Sequence, residues 1–273
     1  MKKNWLNKKV VVITGASSGF GKILCRRLIK DFDCTVIGVA RNEEKLKALK
    51  EELDAEKFSY RAFDVSKKEN WLSFYEFLNT NGILIDVLIN NAGVMPPFFK
   101  FERVPLNDAE NTVNTNFMSA VYSVNALMPV LKKSGSPAII NVSSAAGLVP
   151  VVGTSIYSAS KAALRFFTES LQAEYRKEIY VAGIYPGLSK TSLFDKHPLD
   201  EKSAKKLTAL SLNPEKAVNK MLRKIKKKRK RIVIGTDTFF MRLLYFLMPR
   251  TANRIIGFFF KKSKLKIFDG LYK

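Results

Sequence analysis

Short apolar runs rich in β-branched residues alternate with longer amphipathic stretches over the first 190 positions of this 273-residue chain. Residues 10–14, 35–40, 58–63, 86–90, 138–142 and 181–185 read as strands. Between them, residues 21–32, 43–53, 67–80, 107–131 and 155–177 carry helical spacing. Strands apolar on both faces, alternating with helices, predict an α/β fold: a doubly wound parallel sheet covered by helices on each side. Beyond residue 191 the pattern breaks. Residues 192–212 are polar and irregular and read as a loop that shapes a substrate pocket. Pro214 then opens a helix running through Val218, Met221 and Ile225 into a basic cluster at 226–231. Residues 232–235 read as a seventh strand. One domain over 1–236 is expected, followed by an apolar and basic helical extension over 237–273.

A hydrophobic content of 47% is ordinary for a globular chain, and this length buries a core without staples. Cys25 and Cys34 are expected as small core residues rather than a disulfide or a metal pair. A single histidine, His197, excludes a multi-histidine metal centre. The basic N-terminus leads into an apolar run too short for a signal sequence, so a cytoplasmic location is expected.

The first strand empties into Thr14-Gly15-Ala16-Ser17-Ser18-Gly19-Phe20-Gly21, just before the first helix. Glycines there let backbone approach a pyrophosphate, and a helix N-terminus offers free N–H groups and partial positive charge. A glycine triplet alone is a weak signal; a strand before it and an amphipathic helix after it strengthen it. Further motifs follow in order. Asn90-Asn91-Ala92-Gly93 ends the fourth strand, and Asp64-Val65 ends the third. Asn116 falls in the long helix 107–131, and Ser144 closes Asn141-Val142-Ser143-Ser144. Thirteen residues after Ser144 comes Tyr157-Ser158-Ala159-Ser160-Lys161, and Pro186-Gly187 with Thr191 follows the sixth strand.

This series resembles the short-chain dehydrogenase/reductase family over about residues 8–191, with a weaker match through Gly235. The resemblance implies a Rossmann-like seven-stranded sheet and an oxidoreductase that interconverts hydroxyl and carbonyl groups. It implies a nicotinamide cofactor held by Gly15, Ser17, Ser18, Gly19, Phe20, Gly21, Asp64, Val65, Asn91, Ala92, Gly93, Tyr157, Lys161, Pro186, Gly187 and Thr191. It also implies a homodimer formed through helices 107–131 and 155–177. One departure is Ser189, where relatives usually place an apolar residue.

The residue after the second strand reads the adenosine ribose, an acid there favouring NAD(H) and a base the 2′-phosphate of NADP(H). Arg41 follows Ala40 with no acid at that point, so NADP(H) is expected. A surface cation or adenine stacking is the plainer role for Arg41. Tyr157 and Lys161 stand four apart and share a helix face. The ammonium is expected to lower the phenol's pKa from its ordinary value near 10, fitting Tyr157 to exchange a proton with substrate. Ser144 is expected to bond the same oxygen. By the resemblance, Asn116 holds a water linking Lys161 to solvent. An exposed helix pair is the bland alternative for Tyr157 and Lys161.

Net charge is +23 and uneven: residues 220–273 hold 17 lysines and arginines against two acids, Asp237 and Asp269. Such a tail seeks a polyanion. Its phenylalanines stand in solid blocks rather than as spaced stacking platforms, which argues against nucleic acid. Arg242, Pro249, Arg250 and Arg254 interrupt the apolar run short of the ~20 residues of a membrane span. Contact of 226–273 with an anionic membrane surface is therefore expected, aromatics inward and lysines toward headgroups. Packing of the tail on its own subunit, as a roof over the pocket, stays open and is compatible with that. A membrane-facing pocket favours a lipophilic small-molecule substrate such as a long-chain ketone, a sterol-like ring or an acyl derivative. A catalytically silent NADP-binding scaffold is the alternative function.

Overall fold

The computed structural model describes residues 4–189, 200–263 and 265–272. Its centre is one seven-stranded sheet in the order β3-β2-β1-β4-β5-β6-β7. The strands are β1 (Val10–Thr14), β2 (Thr35–Ala40), β3 (Phe58–Ala62), β4 (Val87–Asn90), β5 (Ala138–Val142), β6 (Tyr180–Pro186) and β7 (Arg231–Ile234). Every neighbouring pair is parallel. Parallel neighbours need crossovers, and helices supply them.

Both faces of the sheet are covered, which is why the inner strands read as nearly continuous apolar runs. On one face α1 (Gly19–Phe32), α2 (Glu43–Glu52) and α8 (Pro214–Lys226) press Leu24, Leu28, Leu49 and Met221 onto Val11, Ile13, Val36 and Ile184. On the other, α3 (Lys68–Thr80), α5 (Ser119–Lys132) and α6 (Ser155–Glu174) press Trp71, Leu78, Leu127 and Leu171 onto Val12, Leu88, Ile139 and Val181. Cys25 and Cys34 are buried and unpaired. Burial raises their thiols to about 12 and about 11, so both are protonated core residues. The chain builds outward from β1 to β2 and β3, then crosses back to β4. A crevice opens at that reversal, beyond the carboxyl ends of β1 and β4.

Two expectations needed correction. The long helix 107–131 is α4 (Leu106–Val113), a π-helical turn (Asn114–Met118) and α5. The region expected to be irregular contains α7 (Glu201–Leu210). Asp200 caps it by accepting from the Ser203 N–H at 2.9 Å, and the Glu201–Lys205 pair reinforces its first turn. Its polar composition hid the helix. Thr191 and His197 lie outside the described residues.

The extension forms α9 (Thr236–Leu247), α10 (Ala252–Ser263) and a 3-10 turn (Lys266–Leu271). It packs on its own subunit. Ile256 joins Leu148, Val149 and Tyr185, with Met241, Leu244 and Tyr245 alongside. Leu265, Ile267, Phe268 and Leu271 join Met95, Phe98 and Tyr157. Among the described residues, no helix is long and apolar enough to cross a membrane.

Candidate active site

The crevice begins at the β1–α1 turn. Gly15 (φ +68°) and Gly19 (φ +50°) hold left-handed backbone that favours glycine. A Cβ at Gly21 would stand 2.1 Å from the Gly15 carbonyl oxygen, so helix and loop meet where only hydrogen fits. Thr14 ties this loop to the neighbouring strand end: its Oγ1 accepts from the N–H groups of Asn91 (2.9 Å) and Ala92 (3.0 Å). The Asn91 amide donates back to the Thr14 carbonyl at 2.9 Å. Bare backbone therefore faces the crevice just where the first turn of α1 presents N–H groups lacking earlier helical partners. That cradle suits an anionic group such as a pyrophosphate.

The cavity of about 410 Å³ runs from Gly15, Gly19 and Phe20 past Gly93 and Ser144 to Tyr157, Lys161 and Gly187. Tyr157 and Lys161 are 7% and 3% exposed, which removes the exposed-pair reading. Lys161 Nζ donates to the Val142 carbonyl at 3.1 Å, and burial lowers it to about 8. A Cβ at Gly93 would stand 3.2 Å from both Lys161 Nζ and Asn116 Oδ1, so these two groups flank that glycine.

Tyr157 departs from expectation in sign. Its phenol is raised, not lowered, because burial disfavours the phenolate; a hydrogen bond from Ser144 opposes the shift. Its surroundings are Met95, Phe98, Phe268 and Leu271. The proton is thus held on Tyr157 at neutral pH, the form needed to protonate a carbonyl.

Asn116 is buried in the π-helical turn, and its side chain is committed to neighbours. It accepts from the Val94 N–H at 2.7 Å and donates to the Val94 carbonyl (2.9 Å) and to Ser160 Oγ (3.0 Å). It fixes the strand-end loop against α6 by this clasp.

Gly15, Ser18, Gly19, Phe20, Asn91, Ala92, Gly93, Ser144, Tyr157, Lys161, Pro186 and Gly187 all line the cavity. Gly21, Ser17, Arg41, Asp64 and Val65 are not among its lining residues. Gly21 supports the loop from behind. Arg41 is exposed just past β2, and Asp64 turns the chain after β3 by accepting from the Ser66 N–H at 2.9 Å. Ser189 does line the cavity, buried, its hydroxyl donating to the Gly187 carbonyl at 3.3 Å. The residues that sequence reasoning missed are Thr14, Ser160 and the roof: Met95, Phe98, Asp237, Met241, Phe260 and Phe268. A lone acid in a basic stretch was a visible signal for Asp237.

Comparison with known proteins agrees with this architecture. Residues 9–202 match the family model described as short chain dehydrogenase. The uncharacterised oxidoreductase YusZ of Bacillus subtilis is 36% identical over 194 residues, 69% of this chain and 68% of YusZ. The NADP-dependent 3-hydroxy acid dehydrogenase YdfG of Salmonella typhi is 32% identical over 180 residues, 66% of this chain and 72% of YdfG. A short-chain dehydrogenase from Sphingobium yanoikuyae, solved in complex with NADPH, aligns with a TM-score of 0.73 at 25% identity, covering 82% of this chain and 87% of that one.

The chain belongs to the short chain dehydrogenase family. It is an oxidoreductase acting between hydroxyl and carbonyl groups. The glycine cradle and the strand-end loop fit the dinucleotide this family uses, since substitution at Gly15 or Gly21 would crowd neighbouring backbone.

Proposed function

We propose that this protein is an NADP(H)-dependent reductase of lipophilic ketones, with Tyr157 as general acid. The observation that carries the reading is the single cavity in which Tyr157, Ser144 and Lys161 meet both the glycine cradle and an apolar roof. Bound in the cradle, the nicotinamide supplies the hydride. Tyr157 donates its proton to the carbonyl oxygen, and Ser144 hydrogen-bonds the same oxygen as negative charge develops. Lys161, charged below about pH 8, draws the phenol toward proton release. Asn116 positions the loop beside it. In the alcohol-oxidising direction the same groups run in reverse.

The preference for NADP(H) is supported by Arg41 and the lack of an acid at the end of β2, and by the cofactors named for YdfG and the Sphingobium enzyme. Gly15, Ser17, Ser18, Gly19, Phe20, Gly21, Asn91, Ala92, Gly93, Pro186, Gly187 and Thr191 are assigned to the dinucleotide, with Asp64 and Val65 beside its adenine. The lipophilic substrate is supported by Met95, Phe98, Met241, Phe260 and Phe268 around the proton donor. The membrane contact rests on α9, whose outward face is largely apolar while its other face packs on protein. Phe239, Phe240, Leu243, Phe246 and Leu247 are exposed on the outward face. No acid interrupts residues 238–268, where seven lysines and arginines stand. We assign this face to an anionic bilayer surface, and the outer faces of α5 and α6 to a homodimer contact.

The test is NADPH consumption by the full chain over a panel of ketones graded in chain length, repeated with NADH. Turnover that rises with chain length and favours NADPH is expected. Activity confined to short polar substrates would overturn the substrate class, and a preference for NADH the cofactor.

A further inference from the structure

Asp237 is the only carboxylate among the described residues that line the active-site cavity. It stands in the first turn of α9, at the root of the extension. Its Oδ2 accepts from the Leu188 N–H at 2.9 Å. A Cβ at Gly187 would come within 2.2 Å of Oδ2, and one at Gly235 within 2.2 Å of Oδ1. Two glycines therefore make room for this carboxylate and hold it in place. No ion pair among the described residues joins it. Lys161, the cavity's one described cation, is bonded to Val142 instead. The same cavity wall includes Leu188, Met241, Phe260 and Phe268.

A carboxylate held at one place in a mostly apolar cavity wall acts on whatever enters. Like charges a few ångströms apart repel far more strongly there than in water. A pocket can discriminate by such repulsion as well as by attraction. A hydroxy acid, the substrate for which YdfG is named, would bring a second carboxylate into this space.

We infer that Asp237 is a specificity-determining residue that excludes anionic substrates from the cavity and leaves it to neutral lipophilic ones. The inference rests on the proposed reductase reading and deepens it. Asp237 holds Leu188 in the same contact, so the arrangement ties selectivity to the fold of the extension.

The experiment compares a medium-chain keto acid with its methyl ester, using the full chain and NADPH. Wild type should favour the ester in kcat/KM by roughly 10-fold, about 1.36 kcal/mol for one like-charge repulsion. Asp237→Asn keeps an oxygen for the Leu188 N–H and removes the charge. It should raise kcat/KM for the acid by about tenfold and narrow the ratio accordingly. A gain for one substrate cannot come from misfolding, and Asp237→Ser should move the ratio the same way. Equal use of acid and ester by wild type, or an unchanged ratio in both variants, overturns the inference. So does an equal loss on both substrates with a raised KM for NADPH, which would assign Asp237 to loop and cofactor alone. The thermal midpoint with each compound reads the same discrimination as binding. Failure of all turnover would thus count against the reductase reading, while this comparison still decides the role of Asp237.

Discussion

The floor and the roof of the cavity are built on different physics. The floor is polar and directional. Ser123 donates to Asn90 (2.7 Å), Asn90 to Asn141 (2.9 Å) and Asn141 to Thr168 (2.9 Å), a buried chain running across the sheet beneath the site. The roof is apolar. Phe268 stacks on Phe260 at 4.1 Å and meets Phe98 edge-on at 4.9 Å. Hydrogen bonds fix atoms to tenths of an ångström and punish an unpaired partner. Apolar contact fixes volume and excludes water without dictating residue type. The floor therefore sets which reaction occurs, and the roof sets which molecules reach it and how dry the proton donor is. Tyr157 belongs to both, which explains its raised phenol.

The comparison breaks most sharply at Tyr157. Tyr157→Phe removes one oxygen from the floor and leaves the ring in the roof. Turnover should fall by roughly 10³-fold, within the usual range for loss of a general acid. NADPH affinity, read by fluorescence titration, should change only a few-fold. Retained turnover would give the proton to another group.

Lys161→Met should separate floor chemistry from stability. The folded pKa of about 8 lies below the ordinary 10.5. Between those values the unfolded chain binds the proton and the folded chain does not, so stability rises with pH across that window. Below pH 8 the buried charge opposes folding by roughly 3 kcal/mol, the worth of a shift of that size. Losing the bond to Val142 offsets about 1 kcal/mol of the gain. Lys161→Met should thus be inactive yet more stable than wild type at pH 7, with the advantage gone near pH 10.5. Urea denaturation at both pH values measures this. A variant less stable at pH 7 would mean that Lys161 holds the floor together. In wild type, reduction should decline as pH rises through about 8, where Lys161 loses its charge.

Much of the floor was legible because its chemistry restricts residue type. Only glycine serves at Gly15 and Gly21, and Tyr157 and Lys161 share a face wherever the helix begins. The inner strands were legible because burial on both faces leaves few polar positions. The roof was not, since Met241, Phe260 and Phe268 reach the cavity through long-range packing that no local spacing records. The sign of the Tyr157 shift was lost for the same reason: the residues that bury it lie about 60 positions before it and about 110 after it in the chain. α7 was missed because caps and charge pairs hold it, without a legible apolar stripe. Asn116 falls within the stretch expected to be helical, but its clasp on Val94 follows from a π-helical turn that apolar periodicity does not encode.

The most selective effects should come from two phenylalanines of the extension. Phe268 is 7% exposed and Phe246 is 80% exposed. Phe268→Ala empties the roof beside Tyr157 and should destabilise the fold by about 3 kcal/mol. Phe246→Ser removes a ring that touches little protein, so stability should stay within about 0.5 kcal/mol of wild type. If the outer face of α9 rests on a bilayer, the second substitution should still weaken flotation with anionic vesicles by roughly tenfold, the worth of one aromatic side chain leaving water. The first should reduce ketone turnover whether vesicles are present or not. Should Phe246→Ser float as wild type does, with Leu243→Ser behaving likewise, the outer face has another occupant. A concentration-dependent rise in mass that these substitutions abolish would identify that occupant as a second copy of the chain. The roof would then be completed by protein instead of lipid.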